Sequence, residues 1–458
     1  MRKRILAVLM SAVTTVTAVF AKPQTKASAL VFSPNSMIQS EAAVLLNMDL
    51  NDNKIVYEKN ADMTEYPGFL AQVMTAVIVL ENCNDIGKET VEASKELFAP
   101  FADYENQTDL RYANIGAKDT LTVEDLLYAM MLTSSCEAAV MLADHFGGEE
   151  AFVQKMNDKA QLLEMKDTRF TNATGLYSAR QLTTAHDMAK LLQYAITVPM
   201  FETISCAESY TPPTAESLGK TKDWNWEHSN LLIDKTSEYF CNGVRGIKTG
   251  NLQEGGRNIC CKASRDGNNY LLVCLNAPLK DENGKNHYYH LEDAKTIVNW
   301  AFDHLSFKEI LTKNTEIKEL QVENADGVDY VILRPAEEFS CIWSDATSET
   351  SIQRIIQTEE HVKAPIEAGE KLGTIQLKYS GETLATIDLV ASNSVKRSLM
   401  KYNLSIIPGF FHSGYLGAAW KIALVLSILY FGLCVYFFAR YKQQRKRRKQ
   451  ANAMKKNI

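Results

Sequence analysis

Gly246-Ile247-Lys248-Thr249-Gly250 is the stretch on which the reading of this chain turns. A Lys-Thr-Gly triplet alone recurs by chance. This one lies in a β-prone run and is followed by Glu254-Gly255-Gly256-Arg257, an expected strand over 258–263, a turn at Asp266-Gly267 and a further strand over 270–277. The pattern predicts consecutive antiparallel strands with a lysine and a threonine hydroxyl carried on the first.

Working outward, residues 42–57 form a β-like run with a hairpin signal at Asn51-Asp52-Asn53. Next come Tyr66-Pro67-Gly68-Phe69-Leu70-Ala71-Gln72-Val73-Met74-Thr75 and an apolar helical stretch over 74–80. The order is strand, turn, strand, loop, buried helix, with the helix starting at 67–72. Residues 121–148 read as helical. Thr122 and Asp125 open that segment as a capping box, and Gly147-Gly148 close it. Inside it lies Leu132-Thr133-Ser134-Ser135-Cys136-Glu137-Ala138-Ala139. Then follow Asn172-Ala173-Thr174-Gly175-Leu176 and Thr183-Thr184-Ala185-His186-Asp187, where Thr184 is a natural helix cap. The segment 202–235 reads as irregular, with Pro212-Pro213, Trp224 and Trp226, and ends near His228-Ser229-Asn230. Residues 287–310 read as one more helix. His287 and His290 share a face there, and without a third ligand they read as surface residues rather than a metal site.

In this order the motifs resemble the serine D-Ala-D-Ala carboxypeptidases, the low-molecular-weight penicillin-binding proteins. The resemblance implies an α/β class. Residues 30–310 would form a penicillin-binding/β-lactamase-like transpeptidase domain, an antiparallel sheet with helices and a helical subdomain. The family places Ser-x-x-Lys at the start of the buried helix, where a three-residue spacing lets the amine activate the hydroxyl. In register these positions are Phe69 and Gln72. Phenylalanine has no nucleophile, and a glutamine amide takes no proton near neutral pH. The second family motif, Ser-x-Asn, falls on Ser134 and Cys136. The third is intact. By resemblance Lys248 supplies positive potential, Thr249 holds the substrate's terminal carboxylate, and Gly250 leads to the backbone N–H of Asn251 in the oxyanion hole. No cofactor or metal is implied.

Shifting the register recovers nothing, because no serine occurs between Ser40 and Ser94. Ser217–Lys220 and Ser398–Lys401 have the spacing, yet neither opens a buried helix. The expectation is an inactive carboxypeptidase homologue of peptidoglycan metabolism that binds stem peptides or cell-wall enzymes. Two alternatives stand beside it. One is an active hydrolase with a non-standard nucleophile, such as a Cys136 thiol near Lys248. The other is a structural or sensory wall protein acting through its basic tail.

The termini speak to location. Arg2, Lys3 and Arg4 precede an apolar run from Ile5 to Phe20, with cleavage signals at Val19-Phe20-Ala21 and Ala27-Ser28-Ala29, so 1–29 reads as a signal peptide. Residues 422–439 are an 18-residue uncharged run, long enough at about 1.5 Å per residue to span a membrane. A basic tail without acids, 440–458, follows. The positive-inside rule makes it cytoplasmic and everything before the span extracytoplasmic: a single-pass protein of the bacterial cell membrane. Setting aside the 3 basic residues of the leader and the 9 of the tail leaves 37 basic against 55 acidic residues, a balance of −18. That argues against a nucleic-acid partner. Between domain and membrane, residues 311–395 alternate as short strands and read as a small all-β domain, and 396–421 as a linker. The cysteines show no C-x-x-C spacing, and their pairing is not legible.

Overall fold

The computed structural model describes residues 32–34, 36–49, 55–411 and 414–454. The expected signal peptide and the turn at Asn51-Asp52-Asn53 lie outside them. The chain forms two compact units: Lys26–Lys308 with Ser340–Ser351, and Glu309–Phe339 with Ile352–Ile458.

The first unit is built on strands β1 (Ala42–Asn47) and β2 (Ile55–Lys59) and helices α1 (Ala71–Asn82), α2 (Val123–Thr133), α3 (Cys136–His145) and α4 (Ala185–Ala195). Strands β3 (Val244–Leu252), β4 (Gly256–Arg265) and β5 (Asn268–Ala277) and helix α5 (Tyr289–His304) complete it. The antiparallel sheet runs β2-β1-β5-β4-β3. Every residue of β1 is buried, so that strand is covered on both faces and reads as a continuous apolar run. Helix α1 buries its first nine residues, Ala71 to Val79. A helix apolar all round belongs in a core, and α1 packs there with α2, α3 and α4.

The expected helix over 121–148 is two helices. Its start is as read: the Thr122 hydroxyl accepts from Asp125 N–H at 3.0 Å, and the Asp125 carboxylate accepts from Thr122 N–H at 2.9 Å. Ser134, at φ +64°, ends α2, and Ser135 caps α3 by accepting from Ala138 N–H. Apolar periodicity runs through this two-residue break, which hides it from pattern reading. The expected helix over 287–310 ends at His304, and strand Leu305–Leu311 follows. Leu305, Ile310 and Leu311 fit either period over so short a run. The segment read as irregular contains a short helix, Phe201–Ser205, and a two-residue strand pair. Trp224 and Trp226 are buried there, donating to the carbonyls of Asn114 and Ala113.

The second unit is a six-stranded sheet in the order Gln353–Thr358, Lys371–Tyr379, Glu382–Ala391, Tyr330–Pro335, Lys318–Glu323, His361–Lys363. Leu320, Val331, Leu333, Ile375, Leu377 and Leu389 form its interior. The stretch expected as a linker is largely helical, Leu399–Phe411. Gly414–Met454 is one 41-residue helix, about 60 Å long. It contains the apolar run 422–439 and is long and apolar enough to cross a membrane.

Candidate functional site

The turn carrying Phe69 is clamped from two sides. Gly68–Leu70 forms a single 3₁₀ turn leading into α1. A Cβ on Gly175, itself at φ +84°, would lie 2.5 Å from the Gly68 carbonyl oxygen, and one on Gly250 would lie 3.2 Å from Phe69 N. The loop Asn172–Leu176 and the third-motif strand therefore both require glycine where they meet this turn. Phe69 is buried in an apolar cluster with Phe101, Leu110, Cys136, Val140, Leu176 and Leu252. The two positions where the family would carry catalytic Ser and Asn thus belong to one apolar cluster here.

Gln72 is fully buried. Its amide donates to the carbonyls of Ser134 (3.2 Å) and Thr174 (2.9 Å), joining the start of α1 to the α2–α3 junction and to the Asn172–Leu176 loop. Its Oε1 has no partner among the described residues.

Lys248, also fully buried, donates from Nζ to Ser134 Oγ at 2.5 Å and to the Thr249 carbonyl at 3.1 Å. Burial pulls its pKa down to about 7, and the Arg111 charge pushes the same way. The motif strand is held from behind. Asn230 Nδ2 donates to the Gly246 carbonyl at 2.9 Å, and a Cβ on Gly246 would meet the Ser205 carbonyl oxygen at 2.0 Å. His228, stripped of solvent, is held near pKa 4 and stays neutral. Ser229 Oγ and Thr249 Oγ1 lie 2.7 Å apart, a pair of hydroxyls at the cleft.

Burial pushes the Cys136 thiol up to about 12. Burial of this kind disfavours the thiolate, and the side chain packs in the Phe69 cluster. Cys260, Cys261 and Cys274 are likewise buried free thiols.

A recess of about 160 Å³ opens between these parts, lined by Phe69, Ser134, Ser229, Thr249, Gly250 and Asn251. Arg111, Arg257, Tyr288 and His290 also line it, and none of these four was singled out by sequence reasoning for a cleft. Arg257 stands opposite Asn251 in the β3–β4 ladder. The tight turn at 253–255, which folds Arg257 back opposite Asn251, was the signal that would have found it. His290 corrects the expectation of a surface residue: it is 4% exposed, and burial with the nearby Arg257 charge holds it near pKa 3. His287 pairs with Glu292 at 3.0 Å. Among the described residues no group of three His, Cys, Asp or Glu side chains converges as a metal site.

Comparison with known proteins agrees with this architecture. The D-alanyl-D-alanine carboxypeptidase family profile matches residues 27–279, and that of the penicillin-binding protein 5 C-terminal domain matches 306–397. The D-alanyl-D-alanine carboxypeptidase DacF of Bacillus subtilis is 24% identical over 370 residues, 79% of this chain and 87% of that protein. The D-alanyl-D-alanine carboxypeptidase of Streptomyces sp. K15 is 28% identical over 260 residues, 54% and 82% of the two chains. The crystal structure of the carboxypeptidase DacD from Francisella tularensis superposes with a TM-score of 0.59 at 20% identity, covering 81% of this chain and 97% of that one, a likeness of fold. With the first profile matching more than half of its length, this chain belongs to the D-alanyl-D-alanine carboxypeptidase family of low-molecular-weight penicillin-binding proteins.

Proposed function

We propose that this chain is a peptidoglycan-binding member of its family that does not hydrolyse D-Ala-D-Ala termini by the family's serine–lysine route. The observation that carries this reading is the state of the two halves of the cleft. Phe69 and Gln72 hold the nucleophile and base positions and are built into the interior by packing and hydrogen bonds. Across from them the Lys248–Ser134 contact and the Ser229–Thr249 hydroxyl pair are intact. Loss of a serine nucleophile costs a hydrolase ~10⁶-fold in turnover. What remains suits binding of a peptide's C-terminal carboxylate through Thr249, Lys248 and the backbone at Gly250 and Asn251. Stem peptides and the enzymes that process them are the partners this cleft fits.

The same reading has the protein exported and held by one span within Gly414–Met454, the folded units outside and the basic tail in the cytoplasm. The apolar run and the seven cations between Arg440 and Lys449 support that orientation.

The test is intact-mass analysis of the full chain in detergent after exposure to a β-lactam, with release of D-Ala from a stem pentapeptide measured in parallel. No adduct and no D-Ala release, together with saturable peptide binding, is the expected result. A covalent adduct on the unaltered protein overturns the reading, and its loss in Cys136→Ala would name a thiol nucleophile.

A further inference from the structure

The charges around the recess do not balance. Arg111 and Arg257 line it and Lys248 lies buried behind Ser134, while no Asp or Glu is among the lining residues. Arg257 is more than nine-tenths buried, its guanidinium 4.3 Å from the Tyr288 ring centre, and its Nε has no partner among the described residues. Burial lowers its pKa, and the Arg111 charge lowers it further. A buried guanidinium without a carboxylate is a costly arrangement unless a ligand completes it.

Arg111 is held separately. Its Nη1 donates to the carbonyls of Thr108 (2.8 Å) and Leu110 (3.0 Å), which fixes the guanidinium 5.8 Å from the centre of the Phe69 ring. Nε and Nη2 carry no protein hydrogen bond among the described residues. Asp109 is the carboxylate whose field reaches Arg111, but its oxygens accept from Gln253 N–H at 3.2 and 3.4 Å and form no ion pair with it. One carboxylate seated at Thr249, Ser229 and Arg257 would leave Arg111 uncompensated.

We propose that the recess takes a ligand with two anionic groups: a terminal carboxylate at Arg257 and the Thr249–Ser229 hydroxyls, and a second carboxylate at Arg111, with the apolar chain between them against Phe69. Arg111 is then a specificity-determining residue for a peptide that keeps a free carboxylate upstream of its C-terminus. This rests on the stem-peptide reading and adds a requirement to it.

The experiment uses the full chain in detergent and three synthetic peptides ending in D-Ala-D-Ala. One has a free internal carboxylate, one has that carboxylate amidated, and one has the C-terminus amidated. Glutarate and butyrate are titrated alongside. The diacid peptide should bind most tightly. Arg111→Gln should weaken it by about tenfold, the size of one charge-assisted hydrogen-bond pair, and leave the internally amidated peptide unchanged. Arg257→Gln should weaken both. Equal effects of Arg111→Gln on both peptides, or none on either, overturn the proposal while leaving the stem-peptide reading in place. If no peptide binds, that reading falls. The second anion site is then judged by the small acids: glutarate binding more tightly than butyrate, through Arg111, supports it, and equal binding overturns it.

Discussion

The Lys248 amine and the Ser134 hydroxyl meet at 2.5 Å inside the protein, joining the third motif of the cleft to the second. The contact lies in a chain whose first buried helix opens with Phe69 and Gln72. Burial of the amine at this contact holds the lysine near pKa 7 against an ordinary 10.5.

That depression fixes a pH dependence. Between about pH 7 and 10.5 the unfolded chain holds a proton that the folded chain releases, so stability from this group rises with pH across that window. Below pH 7 the folded protein carries a buried charge at full cost. Lys248→Met should therefore gain on the parent most at pH 6 and least at pH 9, the difference between the two conditions amounting to about 2–3 kcal/mol. Urea denaturation of both proteins across that range measures it. A pH-independent difference would place the amine in a solvated environment.

The buried histidines act at the acid end. His228 and His290 sit near pKa 4 and 3 against an ordinary 6.5. Each is neutral in the fold, and its contribution is complete above pH 6.5 and falls away as pH drops through 6.5 toward 4. His290→Gln should flatten the loss of thermal stability over pH 6.5 to 4 relative to the parent. An unchanged profile would mean that His290 titrates normally.

Phe69 and Gln72 should behave as interior residues. Phe69→Ala removes a ring packed against Cys136, Leu176 and Leu252 and should cost about 3–5 kcal/mol. Gln72→Met keeps the volume but leaves the Ser134 and Thr174 carbonyls without their donor, at about 1–3 kcal/mol. Equilibrium unfolding reads both. Values near zero for either would mean that the side chain is not packed as described.

Gly246→Ala should be among the most damaging single-atom additions in the motif. Its Cβ would meet the Ser205 carbonyl oxygen at 2.0 Å, backbone against backbone, so β3 or the Phe201–Ser205 turn must shift. Loss of peptide binding together with a lowered melting temperature is expected. Retention of both would show that the contact can relax. Gly267→Ala, with nothing within 4 Å of its Cβ, is the comparison for strain from φ alone.

Much of the site was legible because its parts are local. The Lys-Thr-Gly strand, the two helix caps and the long apolar helix each announce themselves within a few residues. The break at Ser134-Ser135 was not, because apolar spacing continues across it. Nor were the helix at Leu399–Phe411, within the stretch 396–421 expected as a linker, and the strand after His304. Arg257 was passed over for a different reason: the turn at 253–255 hints that the chain folds back, and the β3–β4 register then sets Arg257 opposite Asn251.

The sequence by itself determined the family, the order of the units, and the absence of a serine and a lysine at positions 69 and 72, since identity and spacing are properties of the chain. Only the tertiary structure decided what fills the gap. Phe69 and Cys136, 67 positions apart, share one apolar cluster, and Gln72 spans to carbonyls 62 and 102 positions away. The lowered pKa of Lys248, the neutrality of His290 and the cost of the buried Arg257 guanidinium follow from how much water the folded chain removes around each. Desolvation is a property of the surroundings that distant segments build, and no local pattern encodes it.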